Sequence, residues 1–255
     1  MTSTWDDKAL TRDAFLGGRL QIWQPRHGYR AGVDPVLLAA TIPAKQQDRI
    51  LELGCGVGVA SLCLAHRTGA TVTGLEMLQD YAGLARRNAQ DNGIEFDVTT
   101  GDLRDMPTQL RSQSFDQVIA NPPYYDRARG TKAPDPRRET ALGEVASLAE
   151  WMDAAVRRLK SKGYVTFIQK ADRLPQLLAA IDQRLGDVSV LPMAARSGRS
   201  AELCIVRARK AARGAFRLLA PVILHNGDRH LADKDSYRPD VQAALRDAAS
   251  LEVDW

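Results

Sequence analysis

Residues 49–58 read Arg49-Ile50-Leu51-Glu52-Leu53-Gly54-Cys55-Gly56-Val57-Gly58. Ile50, Leu51 and Leu53 form a short apolar run of the kind that makes a buried strand. Three glycines at alternate positions then turn the chain into a helical stretch over 59–67. Glycine permits positive φ and lets a ligand approach the main chain without meeting a Cβ. The first turn of the following helix points free N–H groups at whatever lies over the loop. A dinucleotide-binding loop would carry its third glycine at position 59, which is Val59 here. The spacing is therefore not the pyrophosphate-cradling one.

From Arg49 a regular alternation runs along the chain. Strand 49–53 is followed by helix 59–67, strand 71–76, a helix over 78–92 stopped at Asn92-Gly93, strand 96–100 and strand 115–120. Helix 147–160, strand 163–169, helix 172–185 and strands 187–191 and 202–208 complete the pattern. Alternating strands and helices predict an α/β fold, a mostly parallel sheet with helices on both faces. The last two strands are joined by residues 192–201, too short for a helical crossover, so the last of the seven should run antiparallel. Ahead of this core, 19–24 alternates as a strand would, and Asp34-Pro35 has the form of an N-cap and first helical residue for a helix over 36–42, a place for Asp34 at the ligand mouth being the other reading. The division expected is an N-terminal strand and helix extension (1–48), a core (49–209), and a C-terminal basic segment with a helix (210–255).

At 255 residues the chain can bury a sizeable core, and 26% charged with 44% hydrophobic residues is ordinary for a globular protein. Cys55, Cys63 and Cys204 are three in number, with no C-x-x-C spacing, which indicates neither a disulfide framework nor a zinc cluster. The start of the chain carries Asp6, Asp7 and Asp13 and no basic-then-apolar leader, and no stretch approaches the roughly 20 apolar residues of a membrane span. A soluble, cytoplasmic protein is expected. Its net charge of +4 is compatible with an acidic partner without identifying one.

In open parallel sheets a ligand sits outside the carboxyl ends of the strands. The second strand ends in Glu76, followed by Met77, and an acid there can accept hydrogen bonds from two ribose hydroxyls. The third is followed by Gly101-Asp102-Leu103, where a carboxylate can accept from an adenine amino group. The fourth ends in Asn121-Pro122-Pro123-Tyr124. An amine conjugated with a ring has a delocalised lone pair and is a poor nucleophile. The Asn121 side-chain oxygen and the Pro122 carbonyl can each accept one N–H of such an amine, favouring a more tetrahedral nitrogen. Pro123 stiffens the turn, and Tyr124 can stack on a flat target.

The E-x-G-x-G-x-G form of residues 52–58 resembles motif I of the Rossmann-like class I methyltransferases that use S-adenosylmethionine. Asn121 to Tyr124 is similar to the N-P-P-Y motif of those that modify a planar amino nitrogen. The seven-stranded sheet with its last strand antiparallel is the arrangement of that fold. With the stretch from Tyr29 to Leu38 (YRAGVDPVLL), the chain resembles the bacterial N6-adenine methyltransferases acting on the anticodon-loop adenine of tRNA-Val. The resemblance implies that Glu52, Gly54, Gly56 and Gly58 cradle S-adenosylmethionine, with Glu76 at its ribose, Asp102 at its adenine, Met77 and Leu103 also against the cofactor, and Asn121 shared by both ligands. Asn121, Pro122 and Tyr124 would be catalytic, and Asn121 to Tyr124 would hold the target.

Two basic runs could meet tRNA phosphates near the mouth: Arg207, Arg209, Lys210, Arg213 and Arg217, and also Arg127, Arg129, Lys132, Arg137 and Arg138 beside Tyr125. Protein glutamine N5-methyltransferases share N-P-P-Y but usually carry a helical domain ahead of motif I, for which 48 residues are too few. A non-catalytic RNA-binding relative would typically have lost the glycine loop or N-P-P-Y. Both are intact.

Overall fold

The computed structural model describes residues 5–124, 146–227 and 236–255. Among the described residues there are eleven strands, nine in one sheet with a parallel centre and two in a separate hairpin. In chain order these are β1 (Leu10–Phe15), β2 (Leu20–Pro25), β3 (Arg49–Leu53), β4 (Thr71–Glu76), β5 (Phe96–Thr100), β6 (Phe115–Ala120), β7 (Leu159–Lys170), β8 (Leu185–Ala194), β9 (Ala201–Lys210), β10 (Arg217–Leu218) and β11 (Val222–Ile223). The helices are α1 (Asp34–Thr41), α2 (Val59–Thr68), α3 (Gln79–Asp91), α4 (Thr108–Arg111), α5 (Leu148–Arg158), α6 (Leu174–Ala179) and α7 (Pro239–Asp247).

The sheet order is β10-β8-β9-β7-β6-β3-β4-β5, with β11 also on β8. β3 lies at the centre with four of its five residues buried, pairing in parallel with both β4 and β6. A strand covered on both faces has no place for alternation, which is why Ile50, Leu51 and Leu53 read as one apolar run. β9 runs antiparallel between β7 and β8, as the short connection before it required. One face of the sheet is packed by α1, α2, α3 and α7, the other by α4, α5 and α6.

Four expectations change in detail. The sheet gains β10 and β11 from the segment after 210, so nine strands rather than seven belong to it. Residues 10–15, ahead of the one strand expected at 19–24, pair with β2 in an antiparallel hairpin, because only one of its faces needs to be covered. The helix expected over 172–185 shrinks to a single turn at Ala171–Arg173 followed by α6. The Asp182 carboxylate accepts the Arg184 N–H at 2.8 Å, a local bond that competes with helix, and β8 begins at Leu185. Asp34 does not cap α1: Val33 stands at the cap in a helical conformation with no side-chain bond, while the Asp34 carboxylate is drawn elsewhere.

α1 is buried at every position from Pro35 to Thr41. Its terminal carbonyls are satisfied from distant parts of the chain. Arg67 donates to the Ala39 and Ile42 carbonyls at 2.8 and 2.6 Å, the Leu251 N–H donates to Ala40 at 2.9 Å, and Trp255 Nε1 donates to Thr41 at 2.9 Å. The C-terminal segment is thereby bound to the same layer as α1.

Candidate active site

A cleft opens over the carboxyl ends of β3, β4 and β6, with a void of about 1170 Å³ including its open mouth. The glycine loop forms its floor. Gly54 has φ 63°, and a Cβ there would run into the Trp151 ring of α5. Gly56 leaves open space, since a Cβ would meet nothing closer than Tyr29 at 3.7 Å. Gly58 faces inward instead, where a Cβ would come within 2.9 Å of Phe96, and it does not line the cleft. Its expected part in the cradle is corrected to packing: it lets α2 start close against β5 and α3. Gly74, not singled out in the sequence, does similar work beneath Cys55, where a Cβ would lie 2.7 Å from the thiol sulfur.

Two buried carboxylates support this loop. Glu76 accepts the Gly56 N–H at 2.9 Å and the Leu78 N–H at 2.8 Å, one on each oxygen, and so fixes the loop to the end of β4. Burial raises its pKa, while these backbone bonds act against that rise. Met77 supplies a third backbone bond, and the carboxylate keeps acceptor capacity for a hydroxyl. Glu52 accepts from the Ser61 N–H at 3.0 Å and the Ser61 hydroxyl at 2.6 Å, bracing α2. Burial pushes its pKa up to about 8, with the two Ser61 bonds opposing. Asp102 also lines the cleft, its carboxylate held below the usual range by the Arg104 guanidinium at 2.6 Å. Met77 and Leu103 line the wall beside Glu76 and Asp102.

Asn121, Pro122, Pro123 and Tyr124 leave the end of β6 along the same wall. The Asn121 side-chain oxygen is buried and has no hydrogen-bond partner among the described residues. Gln169, fully buried near the end of β7, donates through Nε2 toward the carbonyls of Pro122 and Pro123 at 3.4 and 3.5 Å. The Tyr124 hydroxyl donates to Asp34 at 2.5 Å, and the Lys170 ammonium lies 5.7 Å from the centre of its ring. Burial, and after it the Asp34 carboxylate, raises the Tyr124 pKa far above that of a free phenol. Tyr29, Tyr81 and Trp151 complete the lining. Tyr29 opens the stretch Tyr29–Leu38 noted in the sequence, whereas Tyr81, Trp151 and Gln169 come from elements remote in sequence and no local motif marks them.

The basic run that starts in the last residues of β9 is not at the mouth. Arg209 pairs with Tyr164 near the start of β7, whereas the cleft lies at the ends of the parallel strands. Arg207 is buried between Tyr164 and Trp255, 3.7 and 5.3 Å from their ring centres, and burial lowers its pKa to about 10. Lys210 donates to the Val156 and Leu159 carbonyls at the end of α5, both at 2.7 Å, and Arg209 donates to the Lys162 carbonyl at 3.1 Å. Arg213 alone of these four is exposed and, like the others, follows the strand away from the cleft. The antiparallel direction of β9 is the reason: it carries its last residues to the opposite end of the sheet. The second basic run, Arg127 to Arg138 with Tyr125, and the loop Pro134-Asp135-Pro136 lie outside the described residues.

Comparison with known proteins agrees with this architecture. Residues 31–195 match the family model of the methyltransferase small domain. The chain is 33% identical over 170 residues to the tRNA1(Val) (adenine(37)-N6)-methyltransferase of Bacteroides fragilis, covering 64% of this chain and 69% of that protein. It is 35% identical over 136 residues to the protein of the same name from Escherichia coli O157:H7, covering 52% and 54%. Among solved structures, a predicted O-methyltransferase from Agrobacterium tumefaciens superposes with TM-score 0.70 at 24% identity, over 87% of this chain and all of that one. The Thermus thermophilus 16S rRNA N2 G1207 methyltransferase superposes with TM-score 0.53 at 16% identity, over 79% and 50%. These two likenesses speak to the fold. Among the described residues no helix is long and apolar enough to cross a membrane.

Proposed function

The chain belongs to the methyltransferase small-domain family, and from that premise we propose that it methylates the N6 amino group of an adenine in tRNA, with S-adenosylmethionine as the donor. The residues present fit that donor. An open glycine at 56, a carboxylate at Glu76 with acceptor capacity remaining and an apolar wall of Leu75, Met77 and Leu103 suit a ribose flanked by a flat base and an aliphatic tail. S-adenosylmethionine supplies a methyl group made electrophilic by a sulfonium.

The observation that carries the reading is the buried, unpartnered Asn121 oxygen in the cleft wall beside the Pro122 carbonyl. A buried acceptor without a donor costs free energy, about 1–3 kcal/mol, that an incoming N–H recovers. An exocyclic amine offers two N–H groups and meets two acceptors. Held by both, the nitrogen is drawn toward tetrahedral geometry and its lone pair is freed from the ring. Gln169 restrains the two proline carbonyls, so the acceptors are in place before the target arrives. The nitrogen becomes acidic only as its new bond forms, and the proton then passes to water without a dedicated base. Tyr124 presents an aromatic ring to the flat target, a contact worth about 1–3 kcal/mol.

The acceptor in tRNA, and the cytoplasmic setting that goes with it, follow the relatives of 33–35% identity named for adenine-37 of tRNA1(Val). The test is nucleoside mass spectrometry of tRNA from a strain lacking the protein, before and after incubation with the purified enzyme and donor. N6-methyladenine appearing only after incubation supports the reading. Transfer to a release-factor glutamine with none to tRNA would overturn the acceptor and leave the donor site standing.

A further inference from the structure

Asp34 has no part in the chemistry described so far, yet its carboxylate receives the hydroxyl of the tyrosine that ends the amine-binding turn. We propose that Asp34 is a positioning residue for the target base: it fixes the Tyr124 ring so that a single face is offered to the adenine. This rests on the acceptor reading given above.

Two prolines restrain the backbone ahead of Tyr124 but do nothing for its χ1 and χ2, which a ring must settle before it can stack. A phenol donating to a carboxylate at 2.5 Å is a charge-assisted bond, among the stronger side-chain contacts. Asp34 is itself a firm anchor, because it opens α1, whose next seven residues are buried and whose far end is held by Arg67, Leu251 and Trp255. The hydroxyl has one proton and gives it to Asp34, so the ring meets its target through its π surface alone. With the Lys170 ammonium over one face, the base is confined to the other. The orientation is then settled before the target binds, and the ordering cost is not charged to the encounter.

The test is a set of variants assayed for methyl transfer to a tRNA anticodon stem-loop: Asp34→Ala, Asp34→Asn, Tyr124→Phe and the double variant Asp34→Ala with Tyr124→Phe. Asp34→Ala should lower kcat about tenfold to a hundredfold with S-adenosylmethionine affinity and Tm held near those of the wild type. Asp34→Asn keeps an oxygen that accepts the phenol and should recover most of the loss. The double variant should be no worse than Tyr124→Phe alone, since the two groups act through one bond. Losses that multiply in the double variant, or full activity in Asp34→Ala, would overturn the proposal. A second measurement needs no transfer: in protein labelled with ring-¹³C tyrosine, the signal missing in Tyr124→Phe should shift in Asp34→Ala, and a signal that stays in place also overturns it. Failure of the wild type to methylate tRNA strikes the acceptor reading, whereas the tyrosine signal judges the Asp34 contact independently.

Discussion

Replacing Glu52 by glutamine isolates what a buried charge costs beneath the glycine loop. The glutamine oxygen can accept from the Ser61 N–H and hydroxyl as the carboxylate does, at 3.0 and 2.6 Å, so the substitution removes ionisation and little else. Burial places the Glu52 pKa at about 8, against an ordinary value of 4.5. The folded chain thus holds the proton more tightly than the unfolded one. The associated stability is fully present below the ordinary value and is lost as pH rises through the folded value. At about 1.36 kcal/mol for each pH unit between the two, the full swing is roughly 5 kcal/mol, a large part of a domain's stability of about 5–15 kcal/mol. Glu76 contributes a slope of the same sign but is present in both proteins, and the comparison cancels most of it. Urea unfolding of the ligand-free proteins at about pH 5 and about pH 9 is the assay. The variant should match the wild type at the lower pH and exceed it by several kcal/mol at the higher. A difference that does not change with pH would refute the reasoning, because Glu52 would then ionise like an exposed carboxylate.

Three further outcomes follow from the site. Glu76→Ala removes the acceptor facing the open glycine and should weaken S-adenosylmethionine binding by more than about tenfold, at roughly 1.5–3 kcal/mol for each bond to a charged group; calorimetry showing unchanged affinity would count against the assignment. Asn121→Ala should keep donor affinity within a few-fold and lose transfer by orders of magnitude in single-turnover assays, and near wild-type turnover would remove Asn121 from the chemistry. Arg207→Ala should lower Tm, since the side chain fills the space between Tyr164 and Trp255, while the salt dependence of tRNA binding stays the same; a shallower salt slope at unchanged Tm would return Arg207 to the RNA surface.

The core was legible because its signals are local. Short strand-like runs at 49–53 and 115–120, glycines at fixed spacing, acids at strand ends and a proline turn each declare themselves within a few residues, and strand direction then brings them to one end of the strands. The basic run at the end of β9 misled for a matching reason. Composition marks cations but not the strand direction that carries Arg209 and Lys210 to the far end. Gln169 and Trp151 were illegible because their importance lies in what stands opposite, the Pro122 carbonyl in one case and Gly54 in the other. For Asp34 the sequence left a helix start and a place at the ligand mouth side by side, and it is a bond to a side chain 90 residues away that engages its carboxylate.

The way α1 is tied off bears on the order in which the chain acquires its structure. Residues 49–120 can assemble the central parallel strands from pairings of moderate sequence separation. The end of α1 cannot be completed so early, because the Trp255 indole that donates to Thr41 is 214 residues further along. Contacts of such long range carry a high loop-closure cost and tend to form late. A chain emerging from the ribosome would therefore have its donor loop before the helix that steadies Tyr124 was secured. Cofactor binding would mature ahead of competence toward the target, and refolding followed by the two measures in parallel should show that lag.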